Sequence, residues 1–128
     1  MLPPSDSTLT IVRNAVYDYH KENPDNVLIP FSSVAEGYFH RLLNRGIGGG
    51  SYDTEGNRRF AEKIRVLQEK YNATITQVLL GFFKAMPFTC IPLFGPRNES
   101  QLEDALKTEE IPFTAEDFDE VTNLKDPE

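Results

Sequence analysis

The sequence predicts an α/β fold, rich in helix and carrying about two parallel strands. Two short, continuous apolar runs set the strands: Asn26-Val27-Leu28-Ile29-Pro30-Phe31-Ser32-Ser33, and Phe88 to Leu93. Such runs suit strands buried on both faces, as in parallel sheets. Around and between them, apolar residues recur at three- and four-residue spacing, which is the period of a helix facing a core. With 128 residues the chain is long enough for one domain with a real core, residues 1–128, and too short for two.

The elements follow in order. Ser7 or Thr8 caps a first helix, with Ile11, Val12, Ala15, Val16 and Tyr19 at helical spacing. It stops near Asn23-Pro24, because a residue before proline disfavours the helical conformation. The first strand follows, shortened by Pro30. Val34 to Leu43 forms a short helix with His40 and Arg41 on its polar side. Gly46, Gly48, Gly49 and Gly50 come next, flanked by Ser51 and Asp53. No Gly-Lys-Ser/Thr closes this run, so it is no phosphate loop of the nucleotide-hydrolase kind and reads as a flexible connection.

Asn57 to Tyr71 is a long amphipathic helix with Phe60, Ile64, Leu67 and Tyr71 on one stripe, ended by Asn72. Thr74 caps the next helix, whose buried face is Ile75, Val78, Leu79, Phe82 and Phe83, and Pro87 bounds it. After the second strand, Asn98 caps a further helix, with Gln101 three residues on in a capping-box arrangement. Thr114 and Asp117 suit the cap of a last helical turn. Two adjacent parallel strands leave exposed edges. The chain therefore hides them with its helices, by self-association, or against further sequence.

The charge is uneven. Net charge is −7, but the acidic helices of residues 99–128 carry 11 acidic and 2 basic residues, and everything before them 9 and 11. That acidic end argues against nucleic acid as a partner. A single cysteine, Cys90, allows no intrachain disulfide and suits a reducing compartment. It lies in an apolar run, the usual setting of a small core residue. With two histidines and one cysteine, no metal site is expected. No stretch reaches the roughly 18 apolar residues of a membrane helix. Met1 to Ser7 lacks the basic and apolar regions of a signal peptide, so the cytoplasm is expected by default.

The segment Ile91 to Asp104 is the most organised place for a ligand: a strand, a glycine turn with Arg97, then a capped helix start. A helix N-terminus offers unpaired N–H groups and a partial positive charge, a plausible seat for a phosphate.

Four segments resemble the aldo-keto reductases. Pro30-Phe31-Ser32-Ser33-Val34-Ala35-Glu36-Gly37 is similar to their Ala-Tyr-Ser-Pro-Leu-Ala-Arg-Gly segment. Ile91 to Leu106 resembles their Ile-Pro-x-x-Gly-x-Arg-x-x-x-Gln-Leu-Glu-Glu-Asn pattern. Between them, Ala61-Glu62-Lys63 through Tyr71-Asn72-Ala73-Thr74 and Thr76-Gln77-Val78-Leu79-Leu80 resemble the family's Ala-Glu-Lys-Tyr-Gly-Val-Thr-x-Ala-Gln-Val-Ala-Leu region. Ile111-Pro112-Phe113-Thr114-Ala115-Glu116-Asp117 looks like its Leu-Thr-x-Glu-Asp close. The likeness runs in order over nearly the whole chain.

That resemblance implies an incomplete TIM-barrel-like fragment, namely the last two strands and helices of a (β/α)8 barrel. The family reduces carbonyls with NADPH. Its catalytic aspartate, tyrosine, lysine and histidine come from earlier strands, and none of those motifs is matched. Tyr17, Tyr19, Lys21, His20 and His40 are the right types in unmatched places, so no catalytic role is carried onto them. The two histidines read as solvent-facing helix residues.

Cofactor positions are matched more closely. The resemblance places Phe31 against the nicotinamide ring, where an aromatic face can stack; as a core residue it reads equally well. Ser32 and Val34 match positions lining the pyrophosphate through a hydroxyl and backbone N–H groups. Glu36 stands where the family often has arginine, and its carboxylate repels a pyrophosphate. Gly95 permits close backbone approach. Arg97 presents a fork of donors to the 2′-phosphate of NADPH. Gln101 and Asp104 match positions on the adenosine side; otherwise Gln101 completes the Asn98 cap and Asp104 is one of many exposed acids.

The function this implies is a C-terminal portion or truncated relative of an NADPH-dependent reductase, keeping a remnant cofactor site without catalytic residues. The alternative is a non-enzymatic, self-associating or interaction protein derived from that family. The partners expected are the cofactor, a second copy or a missing barrel half, with neither nucleic acid nor membrane.

Overall fold

The computed structural model describes residues 14–27, 29, 34–50 and 52–118. Five α-helices order them: α1 (Asn14–Glu22), α2 (Tyr38–Arg45), α3 (Glu55–Tyr71), α4 (Ile75–Lys84) and α5 (Glu99–Leu106). Three short 3-10 turns accompany them, at Ala35–Gly37, Lys107–Glu110 and Ala115–Phe118. The helix-rich part of the expectation holds.

The centre is the pair α3 and α4, with α2 packed on α3 and α5 on α4. Their starts and stops are local chemistry. Thr54 caps α3 by accepting from Asn57 N–H at 3.1 Å, and Asn72 ends it in the left-handed conformation at φ 52°. Thr74 and Gln77 close a full capping box on α4: Thr74 Oγ1 accepts from Gln77 N–H and Gln77 Oε1 from Thr74 N–H. Each such cap holds amides that have no partner inside the helix, worth about 1 kcal/mol.

Helical spacing brings Phe60, Ile64 and Leu67 of α3 against Ile75, Val78, Leu79, Phe82 and Phe83 of α4, all buried. Rings run through this core, edge to face or tilted: Tyr38, Phe39, Phe60, Phe82, then Phe118, Phe113 and Tyr71, with centroids 4.9 to 5.8 Å apart. Such pairs add about 0.5–1.5 kcal/mol each beyond the area they bury. Phe82 is the junction, touching Phe60, Phe83 and Phe118.

Burying Phe118 requires the chain to turn at 114–118, and a carboxylate fixes that turn. Thr114 N–H donates to Asp117 Oδ2 at 2.9 Å, and Asp117 N–H donates back to Thr114 Oγ1 at 3.3 Å. The same carboxylate takes Lys70 Nζ at 2.8 Å and the Tyr71 hydroxyl at 2.6 Å. Burial pushes Asp117 upward, but these donors outweigh it and bring the carboxyl down to about 2.

Several expectations change. The helix expected from Val34 begins later, at Tyr38, because Ala35, Glu36 and Gly37 all have positive φ, at 53°, 54° and 80°. The glycine run is held rather than free. Gly49 N–H donates to Asp53 Oδ2 at 2.7 Å, and Arg58 clamps the same carboxylate through Nε at 2.7 Å and Nη2 at 2.9 Å. The Tyr38 hydroxyl donates to Asp53 Oδ1, the oxygen that also takes Arg58 Nε, at 2.8 Å. Gly48 lets this clamp sit close to the backbone: a Cβ there would lie 2.5 Å from Arg58 Nη2, and the guanidinium would have to shift.

Of the two segments expected to be buried strands, the first is described only at 26, 27 and 29, and the second, 88–93, in full. Val27 and Ile29 are 48% and 55% exposed, and Ile91 and Leu93 are 52% and 57% exposed. Among the described residues, the backbone makes one isolated β-bridge, at Cys90. The start of the first helix also lies outside the described residues.

Candidate functional site

The first cofactor segment is described from Val34 onward; Phe31 and Ser32 lie outside the described residues. Val34 is half-buried, with φ −107° and ψ 19°, and its carbonyl accepts from Gly37 N–H at 3.1 Å. The left-handed run behind it is costly, because a Cβ in that conformation crowds the following carbonyl by roughly 1–2 kcal/mol per residue. Ala35 bears this while fully buried. A right-handed residue followed by a left-handed one turns successive N–H groups into one concavity, an anion-binding shape. Arg41 Nη1 folds back to donate to the Glu36 carbonyl at 2.9 Å, passing close under Gly37. Strain of this kind gathers at ligand clamps.

The second segment is the turn into α5. Gly95 is exposed, and a Cβ added there would meet nothing within 4 Å, so the packing of the chain itself does not demand glycine. Asn98 is extended, at φ −153°, and its Oδ1 accepts from Gln101 N–H at 2.9 Å. The expected capping box differs in its return arm. Gln101 Oε1 accepts from the N–H of Arg97 at 2.7 Å, one residue earlier than Asn98. The turn that carries Arg97 is thus tied from both sides, and the Arg97 side chain is exposed. Glu99 lies in the first turn of α5, where its charge opposes an incoming phosphate.

Asp104 is more than an exposed acid. Its Oδ2 accepts from the Thr74 hydroxyl at 2.9 Å and its Oδ1 from Gln77 Nε2 at 3.2 Å. Gln77 Nε2 also donates to the Asp104 carbonyl at 2.9 Å. The sequence made the Thr74 cap legible; the box with Gln77 emerges in the structure, and Asp104, some 30 residues on, has no signal in spacing.

His40 is not solvent-facing. Its Nε2 lies 2.9 Å from Thr76 Oγ1 on α4, and its Nδ1 is buried without a hydrogen-bond partner. Burial lowers its pKa, opposed by the charge of Asp104 and helped by Arg41. His20 is part-buried, its Nδ1 3.0 Å from the Asn26 carbonyl and its ring against Phe88. Neither histidine stands in a catalytic constellation among the described residues. Burial pushes the Cys90 thiol up to about 12, which removes it as a nucleophile at neutral pH. Among the described residues no group of three or more His, Cys, Asp or Glu gathers around a metal position, and no helix is long and apolar enough to cross a membrane.

A family model, that of the Aldo/keto reductase family, matches residues 6–126. No curated protein matches the chain. Among solved structures, a thermostable aldo-keto reductase, Tm1743, crystallised with the inhibitor epalrestat, matches with a TM-score of 0.53 at 22% identity. The likeness, which is one of fold, covers 86% of this chain and 33% of that one. The chain therefore spans about a third of the length of the reductase it matches.

Proposed function

The chain belongs to the aldo/keto reductase family, and on that premise we propose that it is a C-terminal barrel portion retaining a remnant NADPH site. One observation carries the reading: Arg97 is exposed on a turn cross-tied by Asn98 and Gln101 at the N-terminus of α5. The guanidinium is the fork of donors that suits a 2′-phosphate. The helix N-terminus supplies further N–H groups beside it, and Gly95 leaves room for a ligand to approach the backbone. Ser32, Val34 and the concave turn after it serve the pyrophosphate, with Phe31 against the nicotinamide ring.

Phosphate and ring are bound and oriented by these residues. NADPH, when bound, supplies the hydride for carbonyl reduction. The catalytic aspartate, tyrosine, lysine and histidine of the family come from barrel strands that this sequence does not match. The segments 26–33 and 88–93 are then the last two parallel strands of that barrel, in a cytoplasmic protein.

Calorimetric titration with NADPH and NADH in parallel tests the reading. Saturable binding that favours NADPH, and falls about tenfold or more in Arg97→Ala, supports it. No heat at near-millimolar cofactor refutes it.

A second reading is favoured by the exposure of Val27, Ile29 and Ile91. Apolar strand residues open to water invite pairing. In this reading the chain is an interaction or self-associating protein whose open flank is closed by a second copy or by the rest of a barrel. A mass that rises with concentration in light scattering supports self-association, and a monomer at all concentrations counts against it.

A further inference from the structure

Both cofactor segments are fastened to the same turn. Helix α2, which follows the first segment, reaches α4 through His40 Nε2 and Thr76 Oγ1 at 2.9 Å. Helix α5, which follows the second, reaches it through Asp104, bonded to Thr74 Oγ1 at 2.9 Å and Gln77 Nε2 at 3.2 Å. These attachments matter because α5 buries no residue completely, and its Leu102 and Leu106 are 43% and 63% exposed. Its pose on α4 rests heavily on polar contacts.

The receiving groups are themselves fixed. The Gln77 amide cannot turn over, since its Oε1 already accepts from Thr74 N–H at 3.0 Å, so Nε2 must face Asp104. The Thr74 hydroxyl accepts from Gln77 N–H and has its proton left for Asp104. The capping box of α4 is thus also a socket for a carboxylate on α5.

We infer that the first turn of α4, Thr74 to Gln77, holds the two cofactor segments in fixed relation, and that Asp104 and His40 are its positioning residues. The inference rests on the cofactor reading above and changes one part of it. Asp104 acts on NADPH through the pose of α5, and hence of Arg97, instead of touching the adenosine. His40 does the equivalent for α2 and the concave turn before it.

The variant that separates the alternatives is Asp104→Ala, which favours the helix and removes both carboxylate bonds, leaving α5 only the bond from Gln77 Nε2 to the backbone carbonyl at 104. A positioning role predicts that NADPH binding weakens about tenfold while NADH binding is unchanged, because only NADPH uses Arg97. Direct contact with adenosine predicts equal losses for both cofactors, which would overturn the inference. A purely electrostatic role predicts tighter NADPH binding, since a carboxylate near a phosphate has gone; that too would overturn it. Thr76→Val, which removes the His40 bond, should weaken NADPH and NADH together through the pyrophosphate turn; unchanged binding of both would remove His40 from the account.

Hydrogen exchange on the free protein gives a readout independent of cofactor. Amides of α5 should exchange faster in Asp104→Ala, with those in the middle of α4 unchanged. If the parent chain binds neither cofactor, the cofactor reading fails. Exchange then decides the anchoring: faster α5 exchange upholds it and identical rates overturn it.

Discussion

Gly81 sits in the middle of α4, where glycine is a poor choice, and replacing it with alanine should nevertheless destabilise the protein. In an open helix the change stabilises by about 1 kcal/mol, because glycine loses more backbone freedom on folding. Here a Cβ would lie 2.3 and 2.5 Å from Phe113 Cδ2 and Cε2, against ordinary carbon contacts of about 3.5–4.0 Å. The ring must retreat by roughly an ångström, and it is not free to do so. Tyr71 stands edge-on at 4.9 Å and Phe118 at 5.8 Å, and Phe118 is in turn buried against Phe82.

Overpacking of this kind costs about 1–3 kcal/mol, so the net effect of Gly81→Ala is a loss of about 1 kcal/mol. Phe113→Ala removes the obstacle, and in that background Gly81→Ala should stabilise by about 0.5–1 kcal/mol. The sign reverses between backgrounds. Urea unfolding followed by circular dichroism measures all four corners of the cycle. Stabilisation by Gly81→Ala in the parent, or the same effect in both backgrounds, would refute the packing argument.

Other outcomes follow from the polar contacts. Asp117, at about 2 against an ordinary 3.8, contributes roughly 2 kcal/mol. Its folded pKa is depressed, so this stability is fully present above about pH 4 and is lost as pH falls through about 2. Acid titration of unfolding should show that loss, and Asp117→Asn should abolish it. His40 is also depressed, so its contribution is present above pH 6.5 and declines below; His40→Gln should flatten that part of the stability profile. Cys90 should resist a thiol-disulfide reagent at pH 8 in the folded chain and react at once in denaturant, since burial holds its thiol near 12. Phe82→Ala should cost about 3–5 kcal/mol by urea unfolding, as it empties the junction of the ring series.

What the sequence revealed is what is local. Caps at Thr74, Asn98 and Thr114, the stop at Asn72 and the buried stripes of α3 and α4 all depend on residues three or four apart. Contacts that cross the chain left no trace in spacing: Asp104 with Thr74, Asp117 with Lys70 and Tyr71, His40 with Thr76. Each joins ordinary polar residues whose meeting is decided by how the helices pack. The left-handed run at Ala35 and Glu36 was also hidden, because only Gly37 signals such a conformation and the two residues before it do not favour it. The glycine run read as a free connection because its composition does not show that the Asp53 carboxylate turns back onto Gly49 N–H while holding Arg58, a local clamp that only Tyr38 joins from a distance.

For the candidate site, the resemblance brought out Gly95, Arg97 and Gln101, of which the structure ties Arg97 and Gln101 to each other. It also brought out Asp104, which the structure spends on α4.

The most direct test of the account maps where a phosphate-bearing half of the cofactor binds. Amide chemical shifts of the labelled chain are followed while adenosine 2′,5′-bisphosphate is added. The account predicts saturable shifts concentrated at Gly95, Arg97, Asn98 and Gln101, absent in Arg97→Ala. Shifts that centre elsewhere, or none at millimolar ligand, would contradict it.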